Sequence, residues 1–529
     1  MLALLLRLPG ARFARASRRA APLAGALAVV LACNEDKTTT GPDFKGGNAA
    51  PLTASPAELE FTIPPATPAS LTASVQYTTI ITAHSSDEAC ATVSPLSIPA
   101  VKPEGSSVYI ATFTVTPVGV GSCTITLTDK KGEQVQVPVE VTAAPVVTQP
   151  VTLGVGAFHT CGLTVQGGVY CWGNNVFGQL GDGTTTDHPT PTPVTGPGSG
   201  PALSFASLAV AYTHTCALTS DGTAYCWGLN SSSQLGDGGT TNQAAPIAVI
   251  GPGGGPALAF ASLTGGGDHT CGLTSAGLAY CWGQNAYGQL GDGTTTGRTA
   301  PTAVTGPGGG AALTFTRLVA GLFHTCGLIT GGTAYCWGRN EFGSLGDGTT
   351  TNQTSPVAVT GGLSFTSLTG GGNETGDHTC GVTTAGAAYC WGFNDEGQIG
   401  DGSITNQTVP AAVAGGLTFA SLAAGSRQSC GRMSSGAAYY WGLNFGGDGT
   451  FGGNKLSPAA VAPPTGSSSP LSFTSLTTGG GGHTCGLTSD GAAYCWGSND
   501  VGQVGDGTTS TTNQLVPIAV TGGLTFATP

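Results

Sequence analysis

Paired cysteines are the residues of this sequence that are best placed to do chemistry. Six pairs have members ten residues apart, and each pair lies within one copy of a recurring motif. In an exported protein such pairs predict disulfides, each closing a short loop and stabilising the fold by about 2–3 kcal/mol. Buried free thiols are a second interpretation. The pairs are Cys161 and Cys171, Cys216 and Cys226, Cys271 and Cys281, Cys326 and Cys336, Cys380 and Cys390, and Cys485 and Cys495.

Histidine adds a third interpretation, a metal site. Six copies place a His two residues before the first Cys and on the same face of the strand, so three zinc ligands could meet. The sixth copy has Gln428 and Tyr440 instead of the His and the second Cys, which leaves Cys430 without a partner. General divergence explains this equally well, because that copy is also five residues short. We favour disulfides and expect no metal or cofactor. The histidines are His159, His214, His269, His324, His378 and His483.

An aspartate in a Gly-rich turn recurs once in every copy. Calcium binding is one reading, but a residue needed once for catalysis would not appear seven times, so a structural role is favoured. We find no nucleophile and base together, and we expect no enzymatic activity. An insertion, Asn373-Glu-Thr-Gly-Asp377, could be a site loop, but we favour a surface insertion without function. The repeated residues are Asp182, Asp237, Asp292, Asp347, Asp401, Asp448 and Asp506.

These residues belong to a sequence repeat that occurs seven times. Its Trp recurs at positions 172, 227, 282, 337, 391, 441 and 496, a period typical of an array of one supersecondary unit. In the second copy, the loop Ser220-Asp-Gly222 predicts a hairpin in which Cys216 lies opposite Cys226. Both faces of this hairpin are apolar, so neighbouring copies must cover them, as the blades of a propeller do.

The repeats resemble the RCC1 (regulator of chromosome condensation 1) family. The shared residues are the His before Leu-Thr, the Tyr-x-Trp-Gly-x-Asn segment and the Gly-Gln-Leu-Gly-x-Gly turn. The resemblance covers 151–529 and implies an all-β chain with a seven-bladed β-propeller. It also implies a structural hydrogen bond for the His, whereas the Cys pairs depart from the family pattern. The first copy lacks the Leu-x-Phe-x-x-Leu segment, which the C-terminal Gly523-Leu-Thr-Phe-Ala-Thr-Pro529 supplies. We predict that this segment closes the ring, and a truncated eighth copy is the alternative.

The N-terminal region has a different character. Residues 1–33 combine a basic start with a short apolar run, which predicts a signal peptide. Its end resembles a bacterial lipobox, with Cys33 as the lipidated residue, although ordinary cleavage near Ala32 is the alternative. Residues 34–50 are expected to be a flexible tether. Alternating strand patterns over 51–145 predict an Ig-like β-sandwich, in which Cys90 and Cys123 would pair.

The net charge and the positions that differ between copies guide the functional hypothesis. Without the leader, 11 basic residues stand against 28 acids, a net charge of −17 that disfavours nucleic-acid binding. We expect an exported, surface-anchored monomer that binds an extracellular protein or a glycan through one propeller face. Guanine-nucleotide exchange, which the family resemblance suggests, and a polysaccharide-acting enzyme are the alternatives. The positions that vary most after the Trp are the candidate binding residues, expected to be exposed on one rim: Phe177, Tyr287, Arg339, Glu341, Phe342, Phe393, Asp395 and Glu396.

Overall fold

The chain forms two compact units, Met1–Val147 and Thr148–Pro529. The computed structural model describes residues 152–528 throughout and, before them, separate segments between residues 30 and 143. The regular structure of these residues is strand, apart from three short 3-10 turns at Pro197–Ser199, Pro252–Gly254 and Pro307–Gly309. The predicted tether at 34–50, the lipidation site Cys33 and the sandwich residue Cys90 lie outside the described residues.

The first unit contains two larger sheets and one short strand pair. Its strands follow from the alternation of apolar and polar residues. Ile125 and Leu127 are fully buried, whereas the Thr between them is half-buried. Cys123, on the same strand, is disulfide-bonded. The strand pair joins Val30–Ala32 and Thr53–Ser55. The five-stranded sheet has the order Leu59–Ile63, Gln134–Ala143, Gly121–Thr128, Ile80–Ser85 and Ser97–Pro99, and the three-stranded sheet has the order Ala69–Val75, Tyr109–Pro117 and Ala91–Ser94.

The second unit is a series of seven four-stranded antiparallel sheets in which consecutive strands pair. The first strands are Leu153–Val155, Ser207–Val210, Ser262–Gly265, Phe315–Ala320, Phe365–Gly372, Ser421–Ala424 and Phe473–Thr478. The second strands are His159–Leu163, His214–Leu218, His269–Leu273, His324–Ile329, Asp377–Thr383, Gln428–Arg432 and His483–Thr488. The third strands are Val169–Gly173, Ala224–Gly228, Ala279–Gly283, Ala334–Gly338, Ala388–Gly392, Ala438–Gly442 and Ala493–Asn499. The fourth strands are His188–Pro193, Gln243–Ala248, Arg298–Ala303, Gln353–Ala358, Gln407–Ala412, Lys455–Ala460 and Ser510–Ala519.

The register of the central hairpin confirms the sequence prediction. In the second sheet Cys216 pairs with Cys226 and Thr215 with Trp227. The loop ends at Gly222, whose φ of 82° is costly for residues with a Cβ. A Cβ at this position would also lie 2.7 Å from the carbonyl oxygen of Phe260 in the next sheet. The glycine therefore serves both the turn and the close approach of two sheets.

Apolar clusters between neighbouring sheets form the core of the second unit. Trp227 of the second sheet, for example, packs with Cys161 and Leu163 of the first. Its indole Nε1 donates to the carbonyl oxygen of Gln179, 3.0 Å away in the first sheet. One such cluster lies at each of the seven junctions, including the junction of the seventh sheet with the first. Both faces of every hairpin are thus covered, as predicted.

The C-terminal segment joins the first sheet rather than beginning another copy. Phe526 forms an isolated antiparallel bridge with Thr164, and the Ala527 amide donates to the Leu163 carbonyl at 2.9 Å. The Phe526 ring packs against Trp172, with ring centroids 6.0 Å apart. This is the packing that Phe205 makes with Trp227 in the second sheet. The C-terminal segment thus completes the first sheet of the second unit, and the closing role predicted for this segment is confirmed.

Candidate functional site

A belt of hydrogen bonds links each sheet of the second unit to the next. His159 Nε2 lies 2.9 Å from the Thr215 hydroxyl oxygen. That hydroxyl donates its own hydrogen to the Gln179 carbonyl at 3.1 Å, so Nε2 must be the donor to Thr215. In the sixth sheet Gln428 Nε2 replaces the imidazole and donates to Thr484 at 3.0 Å. The other contacts are His214–Thr270, His269–Thr325, His324–Thr379, His378–Ser429 and His483–Thr160, at 2.7–2.9 Å.

Burial keeps five of these six imidazoles neutral. It lowers the pKa to about 3 for His159, His214, His269, His378 and His483. Desolvation is the main cause, because a charged imidazole loses its hydration in this dry layer. The histidines therefore join sheets, which agrees with the structural hydrogen bond that the resemblance implies.

The six predicted cysteine pairs are disulfides. Their Cα atoms lie 4.0–4.1 Å apart, as expected for directly opposed residues of an antiparallel pair. Thiolate ligands for zinc are therefore absent from these six hairpins. Cys430 is buried opposite Tyr440, and burial raises the pKa of its thiol to about 12. This thiol is poorly reactive, because the thiolate is the nucleophile.

Removal of one disulfide should weaken the fold without unravelling it. We expect Cys216→Ala with Cys226→Ala to lower the free energy of unfolding by about 2–3 kcal/mol, since the unfolded chain gains loop entropy. Denaturant titration of the full chain measures this change. The control is Cys430→Ala, which removes a buried sulfur that forms no disulfide. Equal losses in both variants would contradict a specific contribution of the bridge.

The repeated aspartates organise the turns that follow the third strands. In the first sheet Asp182 Oδ1 accepts hydrogen bonds from the Thr184 amide at 2.9 Å and from Asn175 Nδ2 at 3.1 Å. Asn175 in turn accepts a bond from the Leu180 amide at 3.0 Å. Burial by itself would raise the pKa of Asp182, but the hydrogen bonds from Thr184 and Asn175, together with the side chain of His188, lower it below its ordinary value. The carboxylate is occupied by its own turn, which supports the predicted structural role.

One face of the second unit collects the turns between first and second strands and those between third and fourth strands. Antiparallel pairing brings these two sets to the same edge of each sheet. We call this the upper face; the turns between second and third strands lie on the opposite, lower face. All eight candidate binding residues follow third strands and therefore belong to the upper face.

Burial contradicts the expectation that the candidate residues are exposed aromatics beside charges. Arg339 and Phe393 are each only 4% exposed. Phe177, Tyr287, Phe342 and Glu396 are half-buried, whereas Glu341 and Asp395 are exposed. These side chains are buried because they stack against side chains of neighbouring sheets. The sequence of one repeat does not reveal this stacking.

Arg339 is the centre of this stacking. Its guanidinium carbon lies 5.6 Å from the ring centroid of Tyr287 in the third sheet, 5.2 Å from that of Phe323 and 6.0 Å from that of Phe342. Phe342 also packs on Phe393 of the fifth sheet, with centroids 4.9 Å apart. Such cation–π contacts are strongest when the cation is desolvated. Sequence analysis missed Phe323, which lies in a turn of the other set.

The insertion in the fifth sheet is held by the same arginine. Arg339 Nη1 donates to the Glu374 carbonyl at 3.0 Å, and Nη2 donates to the Thr375 carbonyl. Its Nε binds the Glu341 carboxylate at 3.2 Å. We call residues 373–377 the extension. Hydrogen bonds from Arg339 thus tie the backbone of the extension to the upper face, while its lack of a function stays a prediction.

A central cavity of about 250 Å³ is lined by the first strands of all seven sheets. Tyr212 of the second sheet lies at its upper mouth, and a Cβ at Gly480 in the seventh sheet would overlap the Tyr212 ring. Burial raises the pKa of this phenol, and the negative charges of Glu374 and Asp268 raise it further. The mouth of the cavity is therefore acidic and aromatic.

This architecture defines a β-propeller of tandem repeats that presents one variable face. The chain belongs to the RCC1 family: the model for the RCC1-like domain matches residues 114–467, and models for the RCC1 repeat match 474–503 and 490–526.

The curated relatives are eukaryotic proteins that the chain matches in part. The ultraviolet-B receptor UVR8 of Arabidopsis thaliana is 32% identical over 267 residues, which are 50% of this chain and 58% of that protein. The human E3 ubiquitin-protein ligase HERC2 is 30% identical over 304 residues, which are 56% of this chain and 6% of that protein. The match thus spans less than two thirds of either relative.

Solved structures agree on the fold. Human WBSCR16 has a TM-score of 0.57 at 20% identity, covering 67% of this chain and 95% of that one. Yeast RCC1 (Prp20), bound to Kap60, has a TM-score of 0.56 at 20% identity, covering 71% and 89%. At this identity the likeness concerns architecture alone. Among the described residues, no helix is both long and apolar enough to cross a membrane.

Proposed function

We propose that the chain is an exported binding protein, in which seven blades form one closed propeller and the upper face binds an extracellular protein or a glycan. The Arg339 cluster carries this proposal. It occurs at one place in a scaffold whose disulfides and belt histidines recur in six of its seven sheets, and repeat proteins vary the face that binds. Tyr287 and Phe342, which pack around Arg339, are half-buried at this face, and aromatic side chains are enriched in interaction hot spots.

Export is supported by the disulfides. Six intrachain bridges form and persist in an oxidising compartment, and their presence is consistent with an extracellular location. We propose that the leader at 1–33 directs this export and that a lipid on Cys33 anchors the mature chain. The two sheets of the first unit would form the Ig-like spacer, residues 51–145. The relatives named above are eukaryotic, so the bacterial lipobox rests on the leader sequence alone.

A binding role without catalysis fits the chemistry of the upper face. Its charged side chains are largely engaged: Glu396 pairs with Arg427 at 3.1 Å, and Glu341 pairs with Arg339. Exposed acids remain at Glu374 and Asp395, which favours a partner with basic groups and disfavours nucleic acid. Exchange-factor activity remains the alternative that the family suggests, and it too would require a protein partner.

Charge reversal on the two faces tests this proposal. We expect Glu374→Arg with Asp395→Arg to weaken binding roughly tenfold or more, because both side chains are exposed on the upper face. The matched control is Asp221→Arg with Asp490→Arg, which makes the same charge change at exposed positions of the lower face. Wild type and both variants, as full chains, are compared on a glycan array and against extracellular proteins. Equal loss in both variants, or no ligand for the wild type, contradicts the proposal.

A further inference from the structure

Three aromatic side chains from three sheets surround one bare turn beside the mouth of the central cavity. The turn between the first and second strands of the seventh sheet consists of four glycines, residues 479–482. A Cβ on the second glycine would lie 2.2 Å from the Tyr212 ring, one on the third 2.8 Å from the Phe158 ring, and one on the fourth 2.7 Å from the Phe445 ring. The rings therefore occupy space that side chains of this turn would need. We call Phe158, Tyr212 and Phe445 the aromatic triad.

The aromatic triad is accessible at the upper face. Phe158 is 41% exposed, and Tyr212 and Phe445 are half-buried. The core phenylalanines that pack on the repeated tryptophans differ in this respect, since Phe205, for example, is 4% exposed. All three residues of the triad lie in turns at the same edge of their sheets, and Tyr212 also lines the cavity. Aromatic ring faces carry partial negative charge, so an accessible triad offers a site for a cation.

Two carboxylates add a negative field at the triad. Burial raises the pKa of the Tyr212 phenol, and the negative charges of Glu374 and Asp268 raise it further, so both carboxylates act at this ring. Neither forms an ion pair with a basic side chain among the residues that the structure describes. Asp268 accepts a hydrogen bond from Gln234 at 3.0 Å, and Glu374 is exposed. The charge of these two carboxylates at the mouth is thus not neutralised within the described part of the chain.

The Arg339 cluster shows the same chemistry satisfied within the chain. Its guanidinium lies over aromatic rings and binds the Glu341 carboxylate at 3.2 Å. Arg427, the basic side chain in the corresponding turn of the sixth sheet, is paired with Glu396 at 3.1 Å. The triad also combines aromatic rings with carboxylates, but no basic side chain of the described residues lies over its rings. The group that would complete it must therefore come from another molecule.

We propose that the aromatic triad, with Glu374 and Asp268 beside it, receives a Lys or Arg side chain of a protein partner at the mouth of the central cavity. This inference rests on the proposed binding role of the upper face and names the chemical group that the face takes. Aromatic ring faces attract ammonium and guanidinium groups, and the two carboxylates strengthen that attraction. A neutral glycan would stack on the rings but gain nothing from the carboxylates, so a basic protein surface fits better.

A fluorescent tetralysine peptide tests the site without the natural ligand. Its affinity for the full chain is measured by fluorescence anisotropy at physiological ionic strength, where distant surface charges are screened. We expect Phe158→Ala to weaken binding about threefold or more, because it removes a ring face without changing the charge. Glu374→Gln should weaken binding about twofold or more, because it removes one carboxylate.

The matched control removes another exposed ring from the same face. Phe451 is 67% exposed and lies just before the fourth strand of the sixth sheet, whereas first strands line the cavity. Phe451→Ala should therefore leave the affinity for tetralysine unchanged. Phe158, Glu374 and Phe451 are all exposed, so these variants should fold, which thermal unfolding checks. A wild type that binds tetralysine no more tightly than Phe158→Ala, or equal weakening by Phe158→Ala and Phe451→Ala, would overturn the proposal.

A neutral chitin oligosaccharide and the array ligands separate this inference from its rivals. If Phe158→Ala weakens binding of the oligosaccharide but not of tetralysine, the triad is a glycan site and the inference is wrong. An array ligand that is lost in Glu374→Arg with Asp395→Arg but kept in Phe158→Ala leaves the proposed function standing and overturns the role of the triad. Tetralysine binding that depends on Phe158 and Glu374, without any array ligand for the wild type, supports the triad and contradicts the proposed function.

Discussion

Acidification from about pH 6.5 towards pH 3 should unfold the second unit steeply. Five buried histidines have a pKa of about 3 in the folded chain, against an ordinary value of 6.5. The unfolded chain therefore binds more protons in this window, and stability falls as the pH falls. Each proton contributes about 1.4 kcal/mol per pH unit, so five contribute roughly 7 kcal/mol per unit. Domains are commonly stable by about 5–15 kcal/mol, so a drop of one to two units should suffice.

Denaturant titrations across this pH range measure the effect. Substitution of His214 by Gln should reduce the slope of stability against pH by about one proton, or 1.4 kcal/mol per unit. Gln428 shows that this side chain can fill the same place in the belt. His84→Gln, the same substitution at an exposed site of the first unit, is the control. A slope unaffected by His214→Gln would contradict the assignment of acid sensitivity to the belt.

Loss of the closing phenylalanine should be the largest effect of a single substitution. Phe526 is 1% exposed and packs against Trp172, and a Cβ at Gly162 would overlap its ring. We expect Phe526→Ala to lower the free energy of unfolding by about 3–5 kcal/mol, because it leaves a cavity at the junction of the chain ends. Thermal and denaturant unfolding of the full chain measure the loss.

The matched control uses the same packing position within the continuous chain. Phe205→Ala removes the corresponding ring from the second sheet, where Phe205 is 4% exposed and packs on Trp227. If the C-terminal segment acts as a full part of the first sheet, the two variants should lose similar stability. A loss below about 1 kcal/mol for Phe526→Ala alone would show that the ends are not joined in solution, since buried Phe truncations exceed this value.

Much of the repeat could be predicted because its constraints are local. The hairpin register follows from a three-residue loop ending in Gly222, which places Cys216 opposite Cys226. The need for neighbours follows from two apolar faces on one ribbon. The closing segment could be predicted because the first copy lacks the Leu-x-Phe-x-x-Leu segment, and the last residues of the sequence supply it.

The chemistry between sheets could not be predicted in the same way. Whether Arg339 is buried depends on Tyr287 and Phe323, which belong to other turns and meet it only in the assembled fold. The sixth copy differs most in sequence, yet Gln428 preserves the belt, because an amide nitrogen can donate where an imidazole does.

The belt also has a direction. Each repeat donates a hydrogen bond to the next repeat, and its own hydroxyl accepts one from the preceding repeat. His159 donates to the second sheet while Thr160 receives the contact from His483 of the seventh. Every copy thus carries both halves of the coupling to its neighbours. Unequal recombination of the gene could add or delete a whole copy and leave every hydrogen bond between neighbouring sheets in place. The number of blades in such rings can therefore change without new contacts between the blades.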